Sequence, residues 1–446
     1  MLIPTTWSQR LRLIDFELVA IALIYFVQGA LGLSQLAVSF FLKDDLHLSP
    51  AETASLVGIA MIPWTIKPLY GLISDGVPLW GYRRRPYLLL SSLLGVMAWW
   101  SMAWWVHSAT WAVVAIATGS LGIACADAII DALVVQKARH EGDGDAGSLQ
   151  SFGWAWVSIG AIASSWLSGY LLAQLGARGV FLITGFLPLL VAMASLAIKD
   201  SPVQQGHSLA DSFKENLLQI KQAVSDRKIL LPVAFIFLWQ ATPSADSAFF
   251  YFTTNELGFT PEFLGTVRLA TSIAGLLGVW LFQTYLKHIP LRKIFWWTTV
   301  IATLLGLTSL ILVNHWNRPL GISDRWFSLG DSLIMTIAGR IAFMPVLVLA
   351  ARLCPHGIEA TLFALLMSAI NVSSLISYQL GAGLTYILGV TETDFTNLWL
   401  LVTITNLSSL LPLPLIHWLP AERLEIGDQN AEELIVPAEM PTLAKK

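Results

Sequence analysis

A run of about 20 apolar residues is the length of helix that crosses the ~30 Å hydrocarbon core of a bilayer. This chain repeats such runs from one end to the other. Of its 446 residues, 55% are hydrophobic and 12% charged, against about 25% charged in an ordinary soluble domain. Lipid is therefore the solvent for most of the surface. Inside lipid the backbone must satisfy its own hydrogen bonds, and a long apolar run does so as a helix. The runs predict helices at 17–41, 52–73, 87–106, 110–137, 149–174 and 179–198, then at 230–254, 262–284, 293–313, 328–353, 358–388 and 395–418.

The expected fold is an all-α membrane protein with twelve transmembrane helices in two six-helix halves, 1–198 and 229–420. A polar linker, 199–228, joins them, and a polar tail, 421–446, follows. Within the linker, Leu209–Val224 has the pattern of a helix lying on a membrane surface. Arg10, Arg12 and Asp15 precede the first apolar run, which is expected to act as the insertion signal with no cleavable leader. Of 26 Lys and Arg residues, 19 fall in the termini, the linker and the loops on one side. Only Lys43, Arg178, Arg318 and Arg325 fall in loops on the other. That imbalance places both termini in the cytoplasm. Cys125 and Cys354 lie in opposite halves without a CxxC or a histidine pair, so neither a disulfide nor a metal site is expected.

Charges inside a membrane helix are costly, and by default they face a cavity or a partner. Lys67 lies eight residues before Asp75, roughly 12 Å inside the helix end. It reads either as a cation facing a cavity or as the partner of an intramembrane acid. Asp127 and Asp131 share one helix face at a spacing of four. They suit proton carriage, or an ion pair with Lys67. Asp246 follows Pro243-Ser244-Ala245, a sequence that favours a broken helix beside a binding site. Arg268 reads as a substrate contact or as a salt bridge to Asp246. Arg340, near the middle of its helix, needs a carboxylate from a partner or a ligand. Asn371 and Gln379 can bind substrate or join helices.

The 19 tryptophans divide by depth. Trp99, Trp100, Trp104 and Trp105 read as membrane-interface anchors. Trp64, Trp154, Trp156 and Trp239 are better placed to stack on a planar ligand. Arg352 and Glu359 flank a cytoplasmic turn and read as a loop salt bridge. No GxxxxGK[ST], HExxH or GxSxG signature occurs. The chain therefore reads as a carrier driven by a gradient and not as an enzyme. No cofactor, metal or nucleic-acid partner is expected, and the carrier is expected to act as a monomer.

The stretch Lys67-Pro68-Leu69-Tyr70-Gly71-Leu72-Ile73-Ser74-Asp75, followed by Gly81-Tyr82-Arg83-Arg84-Arg85, resembles the loop 2–3 motif of the major facilitator superfamily. Here Val77-Pro78-Leu79-Trp80 lengthens the loop. With that extension, with Gly29-x-x-Gly32 through Phe40-Phe41-Leu42-Lys43-Asp44, with Ala350–Pro355 and with Gly357–Ser368, the chain is similar to the folate–biopterin transporter family, in particular its cyanobacterial members. The resemblance implies a plasma-membrane location and import of folate and related pterins, coupled to protons, by alternating access between the two halves. A carrier of a different organic anion is the alternative. Folate joins a flat pterin to a glutamate with two carboxylates. The substrate candidates are accordingly Lys67, Arg340, Arg268, Asp246, Asn371 and Trp64, with Asp127 and Asp131 for the proton. Asp75 with Arg83, Arg84 and Arg85 is the candidate gate at the cytoplasmic end.

Overall fold

Proline and glycine decide where the helices of this bundle stop, bend and turn. The computed structural model describes residues 16–141, 146–200, 227–286, 288–352 and 359–420. The linker beyond Asp200, the tail and Cys354 lie outside the described residues, as do the side chains of Asp75, Arg352 and Glu359.

In the first half, α1 (Phe16–Ala30) and α2 (Leu33–Phe40) form one span, which widens into a π-turn at Phe41–Asp45. The second span is α3 (Pro50–Ala60), α4 (Ile62–Thr65) and α5 (Lys67–Gly76). Ser49 and Glu52 close a capping box at its start, which satisfies amide donors that no helical carbonyl can reach. Pro63 and Pro68 each stand in the first turn of a new helical piece, where a missing N–H costs least. Next come α6 (Arg85–Trp104), α7 (Ala109–Glu141) and α8 (Ala146–Ser195). α8 is two antiparallel arms folded at Gly176, whose φ of 67° belongs to the left-handed region.

The second half holds α9 (Arg227–Gln240), α10 (Asp246–Tyr251), α11 (Pro261–Leu281), α12 (Leu291–Gly306), α13 (Ser309–Val313), α14 (Asp324–Arg352), α15 (Glu359–Ile387) and α16 (Leu398–Ser408). Among the described residues nine helical segments are long and apolar enough to cross a membrane, and Phe152–Ser195 contains the Gly176 turn. No strand occurs there beyond one isolated bridge, Leu79 with Tyr82. The helix expected over 230–254 is broken at Ala241–Ala245, where Pro243-Ser244-Ala245 predicts a break.

One turn occurs twice in the chain. Leu46 N–H donates to Phe41 O at 3.0 Å, and Leu257 N–H to Phe252 O at 3.1 Å. His47 and Gly258 follow with φ of 51° and 65°. Ser49-Pro50 and Thr260-Pro261 then open the next helices. The two turns are the same device.

Core packing is close. A Cβ on Gly29 would stand 1.9 Å from Val157 O, and one on Gly160 2.1 Å from Phe26 O, so α1 and α8 cross backbone to backbone. Trp99 is 6% exposed and stacks on Phe181 at 5.9 Å, and the Trp100 indole donates to Leu182 O at 3.3 Å. The anchor reading therefore fails for both. They face neighbouring helices, and only Trp104 and Trp105 of that group are exposed.

At the end of the bundle marked by Arg83, Leu79 and Tyr82 exchange backbone hydrogen bonds of 2.9 Å around Trp80 and Gly81, both at positive φ. The Val77–Trp80 extension thus folds as a tight hairpin. Asp200 Oδ2 accepts from the amides of Arg84 at 2.7 Å and Arg85 at 3.1 Å, and the Arg84 guanidinium donates to Ser74 Oγ at 3.2 Å. Of the expected gate, the three arginines are described and the Asp75 side chain is not.

Candidate functional site

Helix 2 bends where the chemistry is. Its breaks at Met61 and Ile66 leave Lys67 at the first position of α5. Lys67 Nζ pairs with Asp127 and also donates to Asp131 Oδ2 at 2.9 Å. One lysine therefore bridges both acids of the α7 face. α1 completes the cluster. The Tyr25 hydroxyl donates to Asp131 Oδ1 at 3.0 Å. The Gln28 amide stands beside Asp127, but its Nε2 is buried and makes no hydrogen bond of good geometry. It is a close neighbour short of a bond. Tyr25 and Gln28 are three apart and share a helix face. The arrangement is a two-rung ladder: Tyr25 with Asp131, Gln28 with Asp127, and Lys67 across both.

The second half carries a cation of a different kind. Arg340 on α14 is exposed and makes no hydrogen bond or ion pair among the described residues. Its Nε lies 3.3 Å from where a Cβ on Gly275 would be, and its Cβ 2.9 Å from the same point on Gly278. Gly275 is seven residues from Arg268, about 20° away around α11. Arg268 Nη2 donates to Gly32 O at 3.2 Å and Gln35 Oε1 at 2.8 Å, and Ser272 meets Ser165 at 2.9 Å. This face of α11 therefore looks at the first half, and the Arg340 guanidinium lies along it.

Between the halves the polar contacts run from the Lys43 end inwards. Lys43 donates to Asn255 Oδ1 at 2.8 Å. The Tyr251 hydroxyl meets Thr53 at 2.8 Å. Gln379 exchanges two bonds of 2.9 Å with Ser55. Deepest is Asn371, whose Nδ2 donates to Trp64 O at 2.9 Å. Pro68, four residues on, has no N–H for that carbonyl, which takes the Ile66 N–H from its own span and the Asn371 amide from the other half.

Asp246 is exposed at the first position of α10, just after the break. Ser244 N–H donates to Ser377 O at 3.3 Å, and the Ser377 hydroxyl to Thr242 O at 2.6 Å. The break is thus docked on α15. Tyr378 of α15 lies within electrostatic reach of Asp246. Arg268 and Asp246 form no ion pair among the described residues; the guanidinium is held instead by Gly32 at the start of α2 and Gln35 within it.

The structure brings together Lys67, Asp127 and Asp131, and it links Asn371 to Trp64. Arg268 faces the first half, Arg340 lies along the same α11 face, and Asp246 stands at the break between α9 and α10. Trp239 is packed against Phe295, with its indole on Thr299 at 3.0 Å. Trp156 packs between Phe26 and Phe152, and Trp154 is exposed. Sequence reasoning missed Tyr25 and Gln28, although a polar pair three apart in an apolar helix was the available signal. It also missed Asp331, held by Thr308 at 2.5 Å and Ser309 at 3.2 Å. Asp331 is nine residues from Arg340, so it points about 180° away, towards α12 and α13.

Comparison with known proteins bears on the whole chain. The model of the BT1 family matches residues 28–440. The folate-biopterin transporter of Synechocystis sp. is 55% identical over 94% of this chain and 85% of its own. Folate transporter 1 of Plasmodium falciparum is 30% identical over 91% of this chain and 80% of its own. The crystal structure of the nucleoside transporter NupG superposes with a TM-score of 0.67 at 14% identity, covering 90% of this chain and 98% of that one. The chain thus shares the fold of that transporter.

Proposed function

This chain belongs to the BT1 family of membrane transporters, and from that premise we propose that it imports folate and related pterins across the plasma membrane by proton symport. It is a multi-pass carrier and not an enzyme. We read twelve crossings: the nine apolar spans with one doubled at Gly176, the broken helix 227–256, and α15. The halves are 1–198 and 229–420, both termini are cytoplasmic, and the carrier works as a monomer. The Lys43 end then faces outwards. The contacts there support a state closed to the outside, one of the two that alternate around a central site.

The observation that carries this reading is Arg340: an arginine at membrane depth, on the interface between halves, with no carboxylate partner among the described residues. A guanidinium grips a carboxylate in two places, and folate brings two carboxylates. Lys67 is committed to Asp127 and Asp131, so it belongs to the proton site more than to the substrate site. Asp246, exposed beside the break between α9 and α10, suits the amino-pyrimidine edge of a pterin. Trp64 and Asn371 border the same interface. Arg268, held by Gln35 and Gly32, lines its outer part. Asp75 with Arg83–Arg85 is the inner gate.

The purified carrier tests the substrate by thermal shift. Folate raises the melting temperature. Free pterin and aminobenzoylglutamate, which are the two ends of folate, each raise it less. Stabilisation by an unrelated dicarboxylate with none from folate or any pterin favours the second reading, a carrier for another organic anion. Arg340 alone would equally serve that reading.

A further inference from the structure

The two acids of α7 are not equivalent. Asp131 accepts from two groups, Tyr25 at 3.0 Å and Lys67 at 2.9 Å. Among the described residues Asp127 has the Lys67 ammonium alone, with the Gln28 amide near it but not bonded. Side-chain exposure runs the same way, 43% for Asp131 and 18% for Asp127. A carboxylate is favoured by water and by donors, and the neutral acid by their absence. The other charged groups acting on Asp127 are Asp131 on its own helix and Lys67 on α5, and Tyr25 on α1 is the other titratable group in reach.

Resting on the symport reading above, we propose that Asp127 is the acid that takes up and releases the transported proton. Asp131 is the fixed partner of Lys67, and Tyr25 is the positioning residue that holds it there. Lys67 is shared. When Asp127 is protonated the lysine pairs with Asp131, and the cluster is neutral. When Asp127 gives up the proton, Lys67 faces two carboxylates and the cluster carries a net negative charge. The proton thus switches the charge of the first half's wall of the central site. Gly153 gives the device its room: a Cβ there would stand 2.6 Å from the Tyr25 ring.

Three substitutions and two readouts in proteoliposomes test this. Asp127→Asn should lose folate accumulation driven by a pH gradient, and whatever folate exchange remains should be flat in pH. Asp131→Asn should keep a pH-dependent exchange, displaced from that of the wild type. Tyr25→Phe removes one hydrogen bond to a charged acceptor. With Asp131 held less firmly, it competes with Asp127 for the proton, so the pH midpoint of uptake should differ from that of the wild type. A merely structural tyrosine would change the amount of active protein without moving that midpoint. Gradient-driven accumulation surviving in Asp127→Asn overturns the assignment, as does a pH-flat profile in Asp131→Asn alone. Wild-type uptake indifferent to the gradient overturns the symport reading itself, a result separate from either.

Discussion

Asn371 donates its side-chain amide to the backbone carbonyl of Trp64 at 2.9 Å, across the boundary between the two halves of the chain. Pro68 and the break at Ile66 deny that carbonyl its usual helical partner and leave it open to a donor from the other half. The bond joins the bend of helix 2, and with it the start of α5 at Lys67, to α15 of the other half. Polar bonds between membrane helices contribute on average about 0.6 kcal/mol and at most about 1.7. Asn371→Ala should therefore shift the balance between carrier states away from the one described by roughly threefold, up to about twentyfold. Spin labels at His47 and Thr391, both exposed at the Lys43 end, should report a larger population at long separation. An unchanged distance distribution would mean that the bond does not hold this state.

Arg340 makes no bond among the described residues, so its removal should leave the fold untouched. Arg340→Ala should keep the melting temperature of the ligand-free protein. It should raise the KM for folate roughly tenfold to a hundredfold, the worth of a hydrogen bond to a charged group. Arg340→Lys should recover only part of this, because an ammonium lacks the planar fork. A fall in stability without a change in KM would assign Arg340 a structural role instead.

Lys67 behaves oppositely. Lys67→Ala leaves the half-buried Asp127 facing the more open Asp131 without a cation, and should destabilise by less than the ~3–5 kcal/mol of breaking a fully buried pair. Lys67→Ala/Asp131→Asn restores the original charge of the cluster and should recover part of that stability without recovering proton coupling. Thermal melts of the single and double variants check the first statement, and uptake at two pH values checks the second.

Much of this was legible in the sequence, and the limits are physical. The spacing of Asp127 and Asp131 fixed a shared helix face. The count from Lys67 to Asp75 fixed a depth. Pro243-Ser244-Ala245 indicated a broken helix, and the break runs over Ala241–Ala245. What a single helix cannot reveal is its neighbour. Lys67 read as open to a cavity or paired, and only tertiary packing puts it against both acids. Arg268 and Asp246 stood at similar depth and looked like partners, yet Gln35 and Gly32 hold the arginine. Trp99 had the position of an interface anchor and is buried on Phe181. Asn371 was a candidate ligand contact, and its amide is taken by Trp64. Asp200 fell at the edge of the linker and caps the Arg84 and Arg85 amides.

Asp246 should discriminate between the two ends of folate. Asp246→Asn removes the charge that receives an amino-pyrimidine edge. It should weaken inhibition of folate uptake by pterin roughly tenfold and leave inhibition by aminobenzoylglutamate nearly unchanged. Equal loss for both inhibitors would place Asp246 outside the pterin subsite.

The most direct test of symport is uptake of labelled folate by proteoliposomes holding the purified protein, with the bath more acidic than the lumen. Folate should accumulate above its bath concentration, and a protonophore should abolish the excess. No uptake of folate or of any pterin would contradict the substrate assignment, and uptake indifferent to the gradient would contradict proton coupling.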